Sequence, residues 1–302
     1  MTCHRPLKAY RALATNPDTG RHLVTFNPVK SLVEGSSFSV PCGQCLGCRL
    51  DKAEDWATRC YHEASLYPRN CFLTLTYSDD HLPEDYSVSV RELQLFIKRL
   101  RDTLAPEKIR FFGVGEYGEE TLRPHYHSLI FNYFPDDSKF YRTTKSNHRI
   151  YTSESLTKIW SLGNVWVGSV SHKSAGYCAR YSLKKVNGDK AVDHYTRIHP
   201  RSQQAVTCQP EFALQSTRPG LGYWWFQKYK SDCFPSDFLI VDGKHVAVPR
   251  YYTQKLQEEE LTRIKRARKR ASLKHKSNNT PDRLKVREEI LASRVKMLKR
   301  EG

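Results

Sequence analysis

The sequence predicts an α+β fold, an antiparallel sheet carrying helices on one face. Three observations point to it. CFLTLTY (71–77) alternates in the two-residue period of a strand, and SVRELQLFIKRLRDTL (89–104) carries apolar residues at the period of an amphipathic helix. Between residues 70 and 186 such segments follow one another as strand, helix, strand, strand, helix, strand. That order is the split, ferredoxin-like (RRM-like) arrangement.

The elements follow in order. Residues 1–69 form a Cys-rich segment that starts irregularly, with NPDTG and VEGSS as turn signals, and ends in a helix at about RLDKAEDWATRCYHEASLY. CFLTLTY opens the core, residues 70–186, and the helix after it is entered through Ser89 as N-cap. KIRFFGVGEY (108–117) and HYHSLIFNYF (125–134) read as strands joined by GEETLR, a hairpin connection. A polar loop leads to the short helix SESLTKIWSL, the strand NVWVGSV (164–170) and the helical HKSAGYCARYSLKK (172–185), which Gly176 weakens. Residues 187–252 form an accessory region, polar and mostly loop up to about 220, then aromatic in GYWWFQKYKSD. Residues 253–302 form a basic helical tail, KRARKRASLKHK and RLKVREEILASRVKMLKR split by SNNTPD. It reads equally as a solvated tail or as a phosphate-binding arm.

The 49 Lys and Arg exceed the 32 Asp and Glu, for a formal charge of +17 over 302 residues. An excess of this size calls for a polyanionic partner, nucleic acid first and an anionic membrane surface second. Arg91, Lys98, Arg99 and Arg101 on the helix at 89–104 should track phosphates, and Trp and Tyr residues should stack unpaired bases. No apolar run approaches the ~18 residues of a membrane span. The opening MTCHRPLKAYRALATN lacks the apolar centre of a signal peptide, so a cytoplasmic location is expected. No GxxxxGK[ST] motif is present, which leaves strand separation to a host helicase or to supercoiling.

Two constellations carry chemistry. His125 and His127 are two apart on a strand and share one face, while Tyr126 and Ser128 face away. Glu116 ends the preceding strand, where hairpin pairing can bring its carboxylate to the imidazoles; Glu119 and Glu120 are alternatives. Two imidazoles and a carboxylate leave positions open for water and substrate oxygens. Such a set accepts Mg²⁺ or Mn²⁺, with Mn²⁺ better suited to the nitrogens, and would polarise a phosphate oxygen. In the second constellation, Tyr177 and Tyr181 are four apart, one turn from each other on one helix face, with Lys184 nearly on that face. Aromatics at helical spacing are most often core, but Arg180, Lys184 and Lys185 surround these. A phenol near a metal and an ammonium ionises more easily than its free pKa of ~10 suggests and becomes a nucleophile toward phosphorus. These are the parts of a nuclease that cuts single-stranded DNA by transesterification, keeping the 5′-phosphate on tyrosine so that rejoining needs no ATP.

His125-Tyr126-His127 resembles the His-hydrophobe-His motif of the HUH endonucleases, CFLTLTY their first-strand motif, and Tyr177 to Lys184 their two-tyrosine pattern Y-x-x-x-Y-x-x-K. Over roughly residues 1–252, with PCGQCLGCR, GEYGEETLRPHYH and GYWWFQKYKSD, the chain resembles the rolling-circle replication initiators of microviruses, the gokushovirus branch above all. The resemblance implies nicking of the replicative-form origin, a covalent 5′-phosphotyrosine intermediate and final circularisation, with host helicase and polymerase as partners. It assigns Glu116, His125 and His127 to the metal, Tyr177 and Tyr181 as nucleophiles, and Lys184 to phosphate contact or proton transfer. A plasmid relaxase would share the chemistry, but the flanking stretches are microvirus-like.

Nine cysteines suit thiols or metal ligands better than a disulfide framework. Cys42, Cys45 and Cys48 form CxxCxxC, with glycines for a tight chelating turn. Cys3 is the first choice of fourth ligand, ahead of His4 and Cys60. A structural Zn²⁺ there would staple the N-terminal segment to the sheet; three unligated thiols are the alternative. A non-catalytic zinc and nucleic-acid-binding protein would use this motif and the basic tail, but leaves the His and Tyr pairs unexplained. A two-metal nuclease would need convergent carboxylates, and Asp79, Asp80, Glu84 and Asp85 have no evident partners.

Overall fold

The computed structural model describes residues 3–118, 120–144, 146–181, 185, 186, 188, 190–199 and 202–297. The chain divides into two compact units, one formed by residues up to Lys52 together with those from Thr262 onward, the other by Ala53–Leu261. The N-terminal segment, expected to start irregularly, forms a small sheet from β1 (Leu7–Thr15), β2 (His22–Thr25) and β3 (Phe38–Val40), in the order β2-β1-β3. Its strands bury little beyond Ala9, Tyr10 and Ala12, so no apolar alternation announced them.

Helix α1 (Leu46–Ala64) leads into β4 (Asn70–Tyr77), α2 (Val90–Leu104), β5 (Arg110–Tyr117), β6 (Pro124–Phe131), β7 (Lys139–Thr143) and β8 (Arg149–Thr152). Next come α3 (Glu154–Trp160), β9 (Gly163–Gly168), α4 (His172–Tyr181), α5 (Lys190–Tyr195), β10 (Thr196–Ile198), β11 (Ala205–Thr207) and β12 (Phe212–Gln215). A seven-stranded sheet results, in the order β12-β5-β6-β4-β9-β8-β7, with every pair antiparallel. The Ser89 hydroxyl accepts from the Glu92 N–H and caps α2, as its position before the amphipathic run implies. Two parts of the sheet come from stretches that read as loop. The β7–β8 hairpin lies between the third core strand and α3, and β12 pairs with β5 from within the polar region before 220.

Helices cover both faces of the sheet, not one. Leu93, Phe96, Ile97 and Leu100 of α2 and Leu156 and Trp160 of α3 pack on Leu73, Leu75, Tyr77, Tyr126 and Ile130. On the opposite face Ala57, Cys60 and Ala64 of α1 and Ala175 and Cys178 of α4 pack with Phe72, Phe112, Val114, Leu129 and Phe131. The reason is in β5. Phe111 turns to the first face and Phe112 to the second, and a strand apolar on both sides needs cover on both.

Beyond the sheet, α6 (Tyr223–Lys228) and α7 (Lys230–Cys233) hold the aromatic run, followed by the hairpin β13 (Phe238–Val241) and β14 (Lys244–Ala247) and by α8 (Arg250–Thr253). The basic tail is helical, as α9 (Glu258–Leu273) and α10 (Pro281–Met297), the latter opened by Pro281 at its first position. Ile264 and Leu284 are buried and Glu288 pairs with Arg5 at 2.9 Å, so within its unit the tail is packed.

Candidate metal and nucleophile site

Strand register brings the site together. β5 and β6 pair Glu116 with His125 and Val114 with His127, while β4 and β6 pair Thr74 with His127 and Thr76 with His125. Paired residues share a face, so Glu116, His125, His127, Thr74 and Thr76 all lie on the side covered by α1 and α4. One Glu116 carboxylate oxygen, Oε1, is 2.9 Å from Nε2 of His125 and 2.9 Å from Nε2 of His127. Glu116 is buried, as is His127, while His125 is partly open. Burial pulls the Glu116 carboxyl up, but the hydrogen bonds and charges of the two imidazoles outweigh it and hold its pKa below the usual carboxylate value.

The far side of each ring is anchored. His125 Nδ1 is 3.1 Å from the Arg123 carbonyl and His127 Nδ1 is 3.0 Å from Thr74 Oγ1. A carbonyl only accepts, so Nδ1 of His125 carries the proton. In the neutral ring Nε2 then presents a lone pair to a carboxylate oxygen 2.9 Å away. Two lone pairs at that distance repel, so the arrangement suits a cation among them or a protonated ring. The ligand atoms of the three residues lie within 4.8 Å of one another, and the donor set fits a divalent ion with open positions.

Helix α4 lies over this face. The Tyr177 ring meets His127 edge to face with centroids 5.3 Å apart and rests against Phe72. The Cys178 thiol, buried and raised well above its ordinary pKa by burial, points at the His127 carbonyl. Tyr181 ends the same helix one turn on. Lys184 and Glu119 lie outside the described residues, and Glu120 is exposed. Sequence reading missed Thr74 and the Arg123 carbonyl as anchors. The signal for Thr74 was present, a Thr at 74 and at 76 on the face opposite Leu73 and Leu75.

A second cluster joins the sulfurs of Cys3, Cys42, Cys45 and Cys48, all within 4.8 Å of one another. Cys3 and Cys42 are 3.7 Å apart and Cys3 and Cys45 3.9 Å. Four sulfurs ~2.3 Å from a tetrahedral ion would lie ~3.8 Å apart, so the spacing fits one. Backbone N–H groups of Cys42, Cys45 and His4 donate to the sulfurs of Cys3, Cys42 and Cys45. Burial raises the Cys45 thiol, but hydrogen bonds from the backbone of Cys48 and His4 outweigh it and hold the pKa down at about 7. Cys60, the reserve candidate, packs instead among Ala57, Ala64 and Leu129.

The family model described as replication-associated protein ORF2 matches residues 70–186. Replication-associated protein VP4 of Bdellovibrio phage phiMH2K is 37% identical over 262 residues, which span 83% of this chain and 76% of the relative. The chain belongs to the family of phage replication-associated proteins. Replication-associated protein ORF2 of Spiroplasma virus 4 is 28% identical across 86% of this chain and 81% of the relative. Replication-associated protein ORF4 of Chlamydia phage 1 is 28% identical across 75% of this chain and 55% of the relative. No solved structure matches the chain. In this replication-associated protein the Glu-His-His cluster and Tyr177 fall inside the segment that the family model covers, and the four cysteines fall before it. Among the described residues no helix is long and apolar enough to cross a membrane.

Proposed function

We propose that this protein initiates rolling-circle replication of a single-stranded DNA phage by nicking and rejoining DNA through a tyrosine. The observation that carries the reading is the convergence of Glu116 with His125 and His127 beneath the Tyr177 ring. The kinship with phage replication-associated proteins supports the biological setting. The strand order β5-β6-β4-β9 supports a ferredoxin-like core over residues 70–186, flanked by the Cys-rich segment 1–69, the accessory region 187–252 and the basic arm 253–302.

Glu116, His125 and His127 would hold Mg²⁺ or Mn²⁺, which when bound supplies charge stabilisation at a non-bridging phosphate oxygen. Thr74 and the Arg123 carbonyl keep the imidazoles aimed at Glu116. The Tyr177 oxygen gives up its proton and attacks phosphorus in line. The phosphorus–oxygen bond to the 3′-oxygen breaks, that oxygen leaves as a hydroxyl after taking a proton, and the 5′-phosphate remains on the phenol. Tyr181, on the same helix, performs the second transfer that releases a joined circle, with Lys184 at the phosphate. The four cysteines hold a structural Zn²⁺. The basic arm adds salt-sensitive phosphate contacts, and host helicase and polymerase supply unwinding and copying.

The test uses the full chain with Mn²⁺ and an end-labelled single-stranded origin oligonucleotide, resolved on a denaturing protein gel. A covalent adduct that disappears when both Tyr177 and Tyr181 become Phe supports the reading. Cleavage without adduct, or binding without cleavage, overturns it.

A further inference from the structure

The row of residues that holds His127 continues across the sheet. Register pairs Val114 with His127, His127 with Thr74, Thr74 with Trp166, Trp166 with Thr152 and Thr152 with Lys139. Directly paired residues project from the same face, so these six form one line running from β5 to β7. A parallel line carries Glu116, His125, Thr76 and Asn164. Beyond the metal cluster this face is polar at Thr74, Thr76 and Asn164, and then becomes aromatic. The Trp166 ring touches Tyr141 with centroids 4.6 Å apart and planes 43° apart. Trp166 is only partly covered and Tyr141 is 55% exposed, while Lys139 and Arg142 of the same strand are exposed cations. Helix α3 packs on the other face, so it does not cover this pair.

We infer that Trp166 and Tyr141 form a stacking platform for unpaired bases of the strand held at the Glu116–His125–His127 cluster, with Lys139 beside it for a phosphate. Trp166 lies two strands from His127, about 10 Å at the usual inter-strand spacing. That distance reaches the nucleotides next to a phosphate seated at the cluster. A polar strip followed by an exposed ring pair and cations is the surface that single-stranded nucleic acid recognises, because every base has a face to stack and every linkage a charge. A ring pair that only clamped the β7–β8 hairpin would gain most by burial, and Tyr141 is mostly out in water. The platform rests on the proposed reading that single-stranded DNA is held at the cluster.

The test separates binding from cutting. The full-length protein carrying Tyr177→Phe and Tyr181→Phe is titrated in EDTA against a fluorescein-labelled single-stranded DNA oligonucleotide, and anisotropy gives Kd. Trp166→Ala should weaken binding about tenfold, as loss of one stacked base does. Trp166→Phe should stay within about threefold because a ring remains. Trp224→Ala, an exposed tryptophan on α6, serves as control and should leave Kd unchanged. Tyr141→Ala, at a position exposed enough to spare the fold, should weaken binding severalfold. If Trp166→Ala fails to fold, Trp166→Phe and Tyr141→Ala decide alone. Unchanged Kd for Tyr141→Ala together with either Trp166 variant that keeps its far-ultraviolet dichroism near wild type overturns the platform, as does equal weakening by Trp224→Ala. An RNA oligonucleotide of the same sequence bound more tightly, with the same Trp166 dependence, would replace DNA by RNA as the ligand and overturn the inference. Failure of the tyrosine adduct with a preserved Trp166 effect would sink the nicking chemistry alone. An adduct with no Trp166 effect would sink the platform alone.

Discussion

Replacing Thr74 by Val tests whether the His127 ring is held as a ligand. The hydroxyl stands 3.0 Å from His127 Nδ1, in a strand pair whose register puts the two residues directly opposite. Valine keeps the shape at Cβ and removes that one partner. A net hydrogen bond of this kind is worth about 0.5–1.5 kcal/mol. Loss of a partner that orients a metal-bound imidazole costs about 10–100-fold in affinity. The two ranges meet near tenfold, about 1.4 kcal/mol. Mn²⁺ titration by calorimetry, in the Tyr177→Phe/Tyr181→Phe background, should therefore show Kd about tenfold higher for Thr74→Val. Thr76→Val is the control. Thr76 faces the same way one pair along, yet its hydroxyl bonds the Asn164 carbonyl at 3.4 Å and not a ring, so Kd should change less than about twofold. Equal Mn²⁺ affinity for Thr74→Val and the parent, with secondary structure intact, would refute His127 as an anchored ligand.

Other outcomes follow from neighbouring parts. The purified protein should carry one zinc per chain by atomic emission, and Cys42→Ser or Cys45→Ser should release it and lower the melting temperature. Glu63 is fully buried, pairs with Arg110 at 2.5 Å and accepts from the Gly222 N–H at 2.6 Å. Glu63→Ala should destabilise the fold by about 3–5 kcal/mol in urea titration, because it strands a largely buried guanidinium. His62 stacks on Trp225 at 3.4 Å, and burial, helped by the charge of His172, pulls its pKa down to about 3. The folded state therefore binds fewer protons than the unfolded one below the ordinary pKa of ~6.5, so His62 costs stability as pH falls from there toward about 3. His62→Phe should flatten the slope of unfolding free energy against pH in that window, and an unchanged slope would contradict the assignment.

The local patterns in the chain determined much of the site before any fold was known. The two-residue period put His125 and His127 on one face and the hairpin put Glu116 within reach, because strand geometry leaves few choices over so short a span. The four-residue spacing of Tyr177 and Tyr181 put them on one helix face for the same reason, and CxxCxxC marked its own turn. What only the tertiary structure decided involves partners distant in sequence. Cys3 joins cysteines some forty positions on, Thr74 of β4 orients a ring on β6, and α4 lays Tyr177 against that ring. The sheet grows from four strands to seven because β12 and the β7–β8 hairpin find edges to pair with, and their polar sequences gave no alternation of their own. Helices on both faces follow from Phe111 and Phe112 turning opposite ways, which is a demand for cover that only the packed molecule can assign to α1 and α4. Periodicity records how a side chain points relative to its own backbone, whereas burial and long-range pairing depend on what other parts of the chain bring to it.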